Sequence, residues 1–183
     1  ATHALIVSPK ATGESSSLAW KNANTAGSGY ISTFDGFANT EAAAAAGSTT
    51  YPAASWARGL TIGGHSDWYI PSRYELNALY WTLKPAFAGD ALNAAGEGYG
   101  NNAYAVPQRG DFSEGSNPNG EEVDGFRFNQ AQAFESQAYG TSLEGANTGQ
   151  IVTVSFDSGI LWDYSKTSTT PRWRAIRKVP VTV

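Results

Sequence analysis

The sequence predicts one α+β domain spanning residues 1–183. Three observations carry that reading. A short apolar run opens the chain, helix-period patterns are confined to the stretch between Asp35 and Pro85, and strand-like segments return only after residue 150. Helices grouped together and strands grouped apart is the α+β arrangement, and the length suits one domain.

His3–Ser8 (HALIVS) reads as a short strand, and a Ser/Gly/Asn-rich stretch follows with Leu18 and Trp20 as isolated anchors. Asp35 or Asn39 can cap a helix that runs through Glu41 and five alanines and stops at Gly47. Its alanine face allows another element to approach closely. A second helix is signalled over Tyr51–Leu60, where Pro52 suits the first turn and Ala53, Trp56, Ala57 and Leu60 recur at helical spacing.

The third helix has the clearest start. Ser72 and Glu75 form an S-x-x-E capping box, and Leu76, Leu79, Tyr80 and Leu83 then line one face. Residues 86–149 read as a long Gly/Asn/Ala-rich loop region, and loops of that length in a compact domain are commonly functional. Ile151–Phe156 and Ile160–Tyr164 flank the turn Asp157-Ser158-Gly159 as a hairpin, and Arg172–Val179 supplies a further strand.

The core must be aromatic. Leu, Ile, Val and Phe total only 32 residues, a share that by itself suggests disorder. Against that stand a net charge of only −4 and 23 aromatic residues, each able to bury about 150–250 Å².

Composition also excludes chemistries. There is no cysteine, which removes disulfides and thiolate sites, and only His3 and His65 could serve a zinc centre. No apolar run approaches the roughly 20 residues that span a bilayer, and no signal-peptide pattern is present. The chain starts Ala-Thr-His and holds no methionine, as expected of a piece cut from something longer.

Residues 85–165 carry two arginines against eleven carboxylates, whereas five basic and no acidic residues follow from Lys166 onward. Such a tail can meet nucleic acid or anionic glycan. The simpler expectation places it beside the acidic middle of the chain, with no nucleic-acid partner.

His65-Ser66-Asp67 has the residue types of a hydrolytic triad, but contiguous residues cannot converge on one reacting atom. Gly96-Glu97-Gly98-Tyr99-Gly100 lacks the preceding strand and following helix that a dinucleotide site needs. Asn117-Pro118-Asn119-Gly120-Glu121-Glu122-Val123-Asp124 gathers hard oxygen donors around a turn, so Asn117, Asn119, Glu121 and Asp124 are candidate calcium ligands. A solvated acidic turn accounts for the same residues. Trp162, Tyr164 and Trp173 are expected on the C-terminal strands, where core packing is the commoner fate of aromatics.

Residues 52–76, PAASWARGLTIGGHSDWYIPSRYEL, resemble the Lcl C-terminal (DUF1566) family, whose pattern is a helix, a glycine turn and S-D-W-[RY]-[LI]-P-[ST]-x-x-E-L. The match falls on Gly63, Gly64, Ser66, Asp67, Trp68, Ile70, Pro71, Glu75 and Leu76. Phe156-Asp157-Ser158-Gly159 and Trp173-Arg174-Ala175-Ile176-Arg177 fit the later hairpin and closing element. Ala133-Phe134-Glu135-Ser136-Gln137 departs from the family's Y-W-[ST]-S-[ST]-like segment. The resemblance spans about residues 35–179. With Tyr-Pro-Ala-Ala upstream and Leu-Lys-Pro after the third helix, it is closest to the version carried on bacteriophage tail fibres and tip proteins.

The resemblance implies a C-type-lectin-like α+β fold used for binding and not catalysis. It implies a virion-tail, extracellular location, a homotrimeric parent protein, and a bacterial surface polysaccharide or outer-membrane protein as partner, without membrane insertion. The alternatives are a bacterial adhesin domain that binds host glycan and, in a different class, a glycan hydrolase. Related formylglycine-generating enzymes require cysteines that this chain lacks.

The motif residues Gly64, Asp67, Trp68, Pro71 and Glu75 are expected to be structural: Asp67 tying the turn through backbone hydrogen bonds, Trp68 buried, Glu75 capping its helix. In lectin-like folds recognition lies in long loops and on an exposed strand face. The candidate receptor contacts are therefore Tyr99, Tyr104, Phe112, Asn117, Asn119, Glu121 and Glu122 in the 86–149 region, with Tyr164 and Arg172 at the strand edge.

Overall fold

A computed structural model describes residues 2–27, 29–85 and 123–181. Among them the chain is mixed α+β, with four helices and three small antiparallel sheets.

Strand β1 (His3–Val7) is followed by a single helical turn α1 (Lys10–Gly13) and a two-residue strand β2 (Glu14–Ser15). Helix α2 (Gly36–Ala44) starts where the Asp35 side chain accepts the backbone N–H of Ala38, and the chain leaves it through Gly47 at φ +92°. Helix α3 (Pro52–Arg58) begins on its proline. The two helices pack closely because the residues buried between neighbouring elements are small: Ala43 on α2, and Ala53, Ala54 and Ala57 on α3. Helix α4 (Arg73–Leu83) is held at its start by Glu75, whose Oε2 accepts the Ser72 N–H at 2.9 Å.

Strands β3 (Ala138–Glu144), β4 (Gln150–Ser155) and β5 (Leu161–Ser165) form an antiparallel meander. The β4–β5 hairpin closes over Asp157-Ser158-Gly159 as the sequence predicts, with Val154 opposite Leu161 and Gly159 at φ +70°. Strand β3 corrects the reading of 86–149 as loop throughout. Its sequence, AYGTSLE, has no apolar alternation and is interrupted by Gly140. That glycine is required by packing: a Cβ there would lie 2.2 Å from the indole ring of Trp173.

The C-terminal strand expected over 172–179 is also corrected. It breaks at Ala175 into β6 (Trp173–Arg174) and β7 (Ile176–Pro180), and neither joins the hairpin's sheet. Instead β6 pairs with β2, Glu14 opposite Arg174, and β7 pairs with β1, His3 opposite Pro180. Ala175 spans the break, its carbonyl accepting from Ser8 N–H and its own N–H donating to Gly13 O.

Two aromatic clusters fill the interior. The first joins Tyr69, Leu76, Tyr80, Phe134, Tyr139, Phe156 and Ile176, with the Phe134 and Phe156 rings stacked at 4.1 Å. The second surrounds Trp20, which stacks on Trp173 at 5.8 Å and meets Tyr30 and Tyr51 edge-on. The Tyr30 hydroxyl donates to the Tyr51 oxygen at 2.7 Å, so each of the two buried phenol oxygens has a hydrogen-bond partner.

Candidate functional site

The segment that carries the family resemblance folds into a junction between helices and terminal strands. Gly63 and Gly64 take φ +61° and +79° in a turn closed by the Ile62–His65 bridge, and nothing stands where a Cβ of either would project. Glycine is present there for its left-handed backbone. Trp68 is buried, and its indole N–H donates to His65 O at 3.0 Å. The Asp67 carboxylate does not tie the turn in the way the sequence suggests. It faces Arg177 across 2.7 and 3.0 Å, a two-pronged pair that holds the Asp67 carboxyl below its ordinary range.

Next to that pair, Tyr69 and Ile176 exchange two backbone hydrogen bonds of 2.9 Å. Pro71 is buried, and its carbonyl accepts from Ser142 N–H on β3. Glu75, 7% exposed, accepts from the N–H groups of Ser72 and Gly36 and from the Tyr69 hydroxyl. Burial pushes its carboxyl above the usual carboxylate range, against those hydrogen bonds and the Lys178 charge 4.0 Å away. The segments 63–76 and 173–177 are thus interlocked across a hundred residues of chain.

Among the described residues, most ion pairs of the basic tail are made with the first half of the chain. Arg172 and Arg174 both pair with Glu14, at 3.0 and 2.9 Å, Arg177 with Asp67, and Lys178 with Asp35. Among the described residues, Lys166 is the tail residue whose ion pair is with the middle of the chain. It is fully buried, pairs with Glu144 and donates to the carbonyls of Thr25 and Thr148. The reason is topological: β6 and β7 run beside the N-terminal strands, so the partners come from there.

Of the candidate receptor contacts, Tyr99, Tyr104, Phe112, Asn117, Asn119, Glu121 and Glu122 lie outside the described residues. Tyr164 is partly buried and packs on the second aromatic cluster. Arg172 spends its guanidinium on Glu14 and on Gln137, whose Oε1 it meets at 2.8 Å. Asp124, from the candidate calcium set, is exposed on a turn, and among the described residues no group of three or more His, Asp or Glu could hold a metal. Trp173 is buried as core, whereas Trp162 is 54% exposed on β5.

A pocket that the sequence reading missed lies between the start of α1 and the segment 123–137. It is a half-open depression of about 440 Å³, and Lys10, Phe128, Asn129, Gln130, Phe134 and Glu135 line it. The wall is an ordered loop. Gly125 N–H donates to Gln130 Oε1 at 2.6 Å, Gln132 N–H returns to Gly125 O at 2.9 Å, and Gln132 Oε1 accepts the Lys10 N–H at 2.8 Å. Phe126 and Phe134 anchor the loop inward, their rings stacked at 6.2 Å, while Phe128 between them faces out.

Lys10 Nζ bonds Ala133 O at 2.8 Å and ion-pairs with Glu135, whose carboxyl it holds below the ordinary range. The sequence signal was present in the F-x-F spacing of Phe126 and Phe128 and in the departure at Ala133–Gln137, yet Lys10 is far away in sequence.

No family model, curated protein or solved structure matches this chain. Function therefore has to be argued from the geometry itself.

Proposed function

We propose that this chain is a receptor-binding domain of C-type-lectin-like fold, carried on a phage tail fibre or tip protein, that attaches to a bacterial surface glycan or protein. The observation that supports it is the interlock of segments 63–76 and 173–177 through the Asp67–Arg177 pair and the Tyr69–Ile176 bridge. These are the stretches on which the family resemblance rests, and they form one scaffold. A scaffold of this kind supports variable loops for recognition. The role is binding, without catalysis, and the parent protein is a homotrimer at the virion tail.

The test is adhesion of the labelled domain to bacterial host cells, followed by competition with purified surface polysaccharide and with outer-membrane protein. Saturable adhesion removed by one competitor is expected. Absence of adhesion to any host, or release of shortened glycan on incubation with the polysaccharide, overturns the proposal.

A further inference from the structure

We propose that the outer edge of β1 is a self-association surface, on which β1 of a second copy of this chain pairs antiparallel about a two-fold axis at Leu5. The inference goes beyond the attachment reading and does not depend on it.

Only one side of β1 is occupied among the described residues. Ser8 N–H donates to Ala175 O at 3.0 Å, and Val181 N–H to Thr2 O at 3.1 Å. These bonds bracket a register in which Ala4 lies opposite Val179 and Ile6 opposite Arg177. Bonded and non-bonded pairs alternate along an antiparallel ladder, so Ala4 and Ile6 bond to β7. The N–H and C=O groups of His3, Leu5 and Val7 therefore point the other way. Among the described residues nothing hydrogen-bonds them.

The other long edges are blunted. Along β3, Gly140, Ser142 and Glu144 donate to the carbonyls of Arg172, Pro71 and Tyr30. The outer side of β5 carries the exposed charge of Asp163. On β7, Ile176 is already bonded to Tyr69, and Pro180 has no N–H to offer. Covering backbone, charge and proline are the usual protections of an edge, and β1, HALIV, has none of them.

The spacing selects the occupant. The outward groups at residues 3, 5 and 7 are symmetric about Leu5. A second β1 turned end for end sets Leu5 against Leu5 and His3 against Val7, so every outward group of both copies is paired at once. Head-to-tail association of β1 with β7 cannot do this, because Ile176 is taken and Pro180 does not donate. On the solvent face, strand alternation sets Ala4 beside Ile6 of the second copy, covering an isoleucine that is 41% exposed. An isologous contact uses up the edge, so assembly stops at a pair: two domains, or two trimers where the parent is a homotrimer.

The experiment combines sedimentation equilibrium of the 183-residue chain with amide hydrogen exchange of the ¹⁵N-labelled chain, dilute and concentrated. One strand pair is small beside a standard interface of about 1,600 Å², so half-dimerisation is expected between about 10 μM and 1 mM. Ala4 and Ile6 should exchange slowly at every concentration, whereas Leu5 and Val7 should slow roughly tenfold only where the dimer forms. Ala4→Lys sets two like charges diagonally across the axis and should weaken the dimer about tenfold or more. His3→Pro removes an outward N–H and should weaken it several-fold. Neither change touches a bond to β7, so melting of the dilute variants should match the unmodified chain.

The exchange pattern of the unmodified chain decides the matter even if a variant folds poorly. A single-chain mass throughout that range overturns the proposal, as does a dimer in which Leu5 and Val7 exchange as fast as in dilute solution. Slowing at Leu161, Asp163 and Ser165 instead moves the contact to β5 and equally overturns it. A dimer undiminished by both Ala4→Lys and His3→Pro does the same.

Discussion

Glu75 gives the sharpest test of how the scaffold is held. Its two oxygens take the Gly36 and Ser72 N–H groups, both at 2.9 Å, and the Tyr69 hydroxyl at 2.8 Å, all buried. Glu75→Ala strands three donors, and each orphaned buried group costs about 1–3 kcal/mol. With some relaxation of the Tyr69 hydroxyl the expected loss is about 3–6 kcal/mol, comparable to the whole stability of many domains.

Glu75→Gln should be much milder. Its amide oxygen can keep both N–H groups, and its NH₂ can donate to the Tyr69 oxygen. The two variants also differ in pH dependence. Burial raises the Glu75 carboxyl in the folded protein, so the native state holds that proton more tightly than the unfolded chain. Stability from this group is complete below the ordinary glutamate range, about pH 4.3, and declines as pH rises through the higher folded value. Glutamine has no such decline, so its cost relative to wild type should shrink between pH 4 and pH 7. Urea unfolding at both pH values measures this. A glutamine cost that grows with pH would mean that Lys178 outweighs desolvation, and would refute the reasoning.

Four further outcomes are expected. A double-mutant cycle on Asp67 and Arg177 should give only weak coupling, because Asp67 is 44% exposed and solvent screens the pair; the lowered Asp67 carboxyl means this coupling is complete above the ordinary aspartate range, about pH 4, and is lost as pH falls through the lower folded value. Lys166→Met should cost up to about 3–5 kcal/mol by leaving the partly buried Glu144 without its cation, with recovery when Glu144→Gln is added, read by thermal unfolding. Gly140→Ala drives a methyl into Trp173 and should cost about 1–3 kcal/mol with a changed near-ultraviolet circular dichroism signal. Tyr69 and Tyr139 are pushed well above the usual tyrosine range, mainly by burial, so spectrophotometric titration should find both protonated at about pH 11 and ionising only on unfolding.

Local signals in the sequence were enough for the local elements. Pro52, the S-x-x-E box at Ser72 and Glu75, and the Asp157-Ser158-Gly159 turn each mark their element by chemistry within four residues, and each element formed as read. What failed was non-local. Strand β3 is a strand because β4 pairs with it and because Gly140 makes room for Trp173, neither visible in AYGTSLE. The tail's charges found partners at Glu14, Asp35 and Asp67 because β6 and β7 return to β2 and β1, and no periodicity encodes that pairing. The pocket was hidden for the same reason: its ion pair joins residues 125 positions apart.

The pairing of β1 with β7 fixes the order in which the protein can be completed. His3 finds its partner at Pro180, and Glu14 finds Arg174, so both N-terminal strands stay unpaired until residues 173–180 have left the ribosome. At about 5–20 residues per second, synthesis of this length takes roughly ten to forty seconds. Folding of such long-range β pairings takes about milliseconds to seconds once both partners are available. During translation the apolar run HALIV is an open edge able to pair with a neighbouring nascent chain. The hazard window is set by the speed of translation, not by the speed of folding.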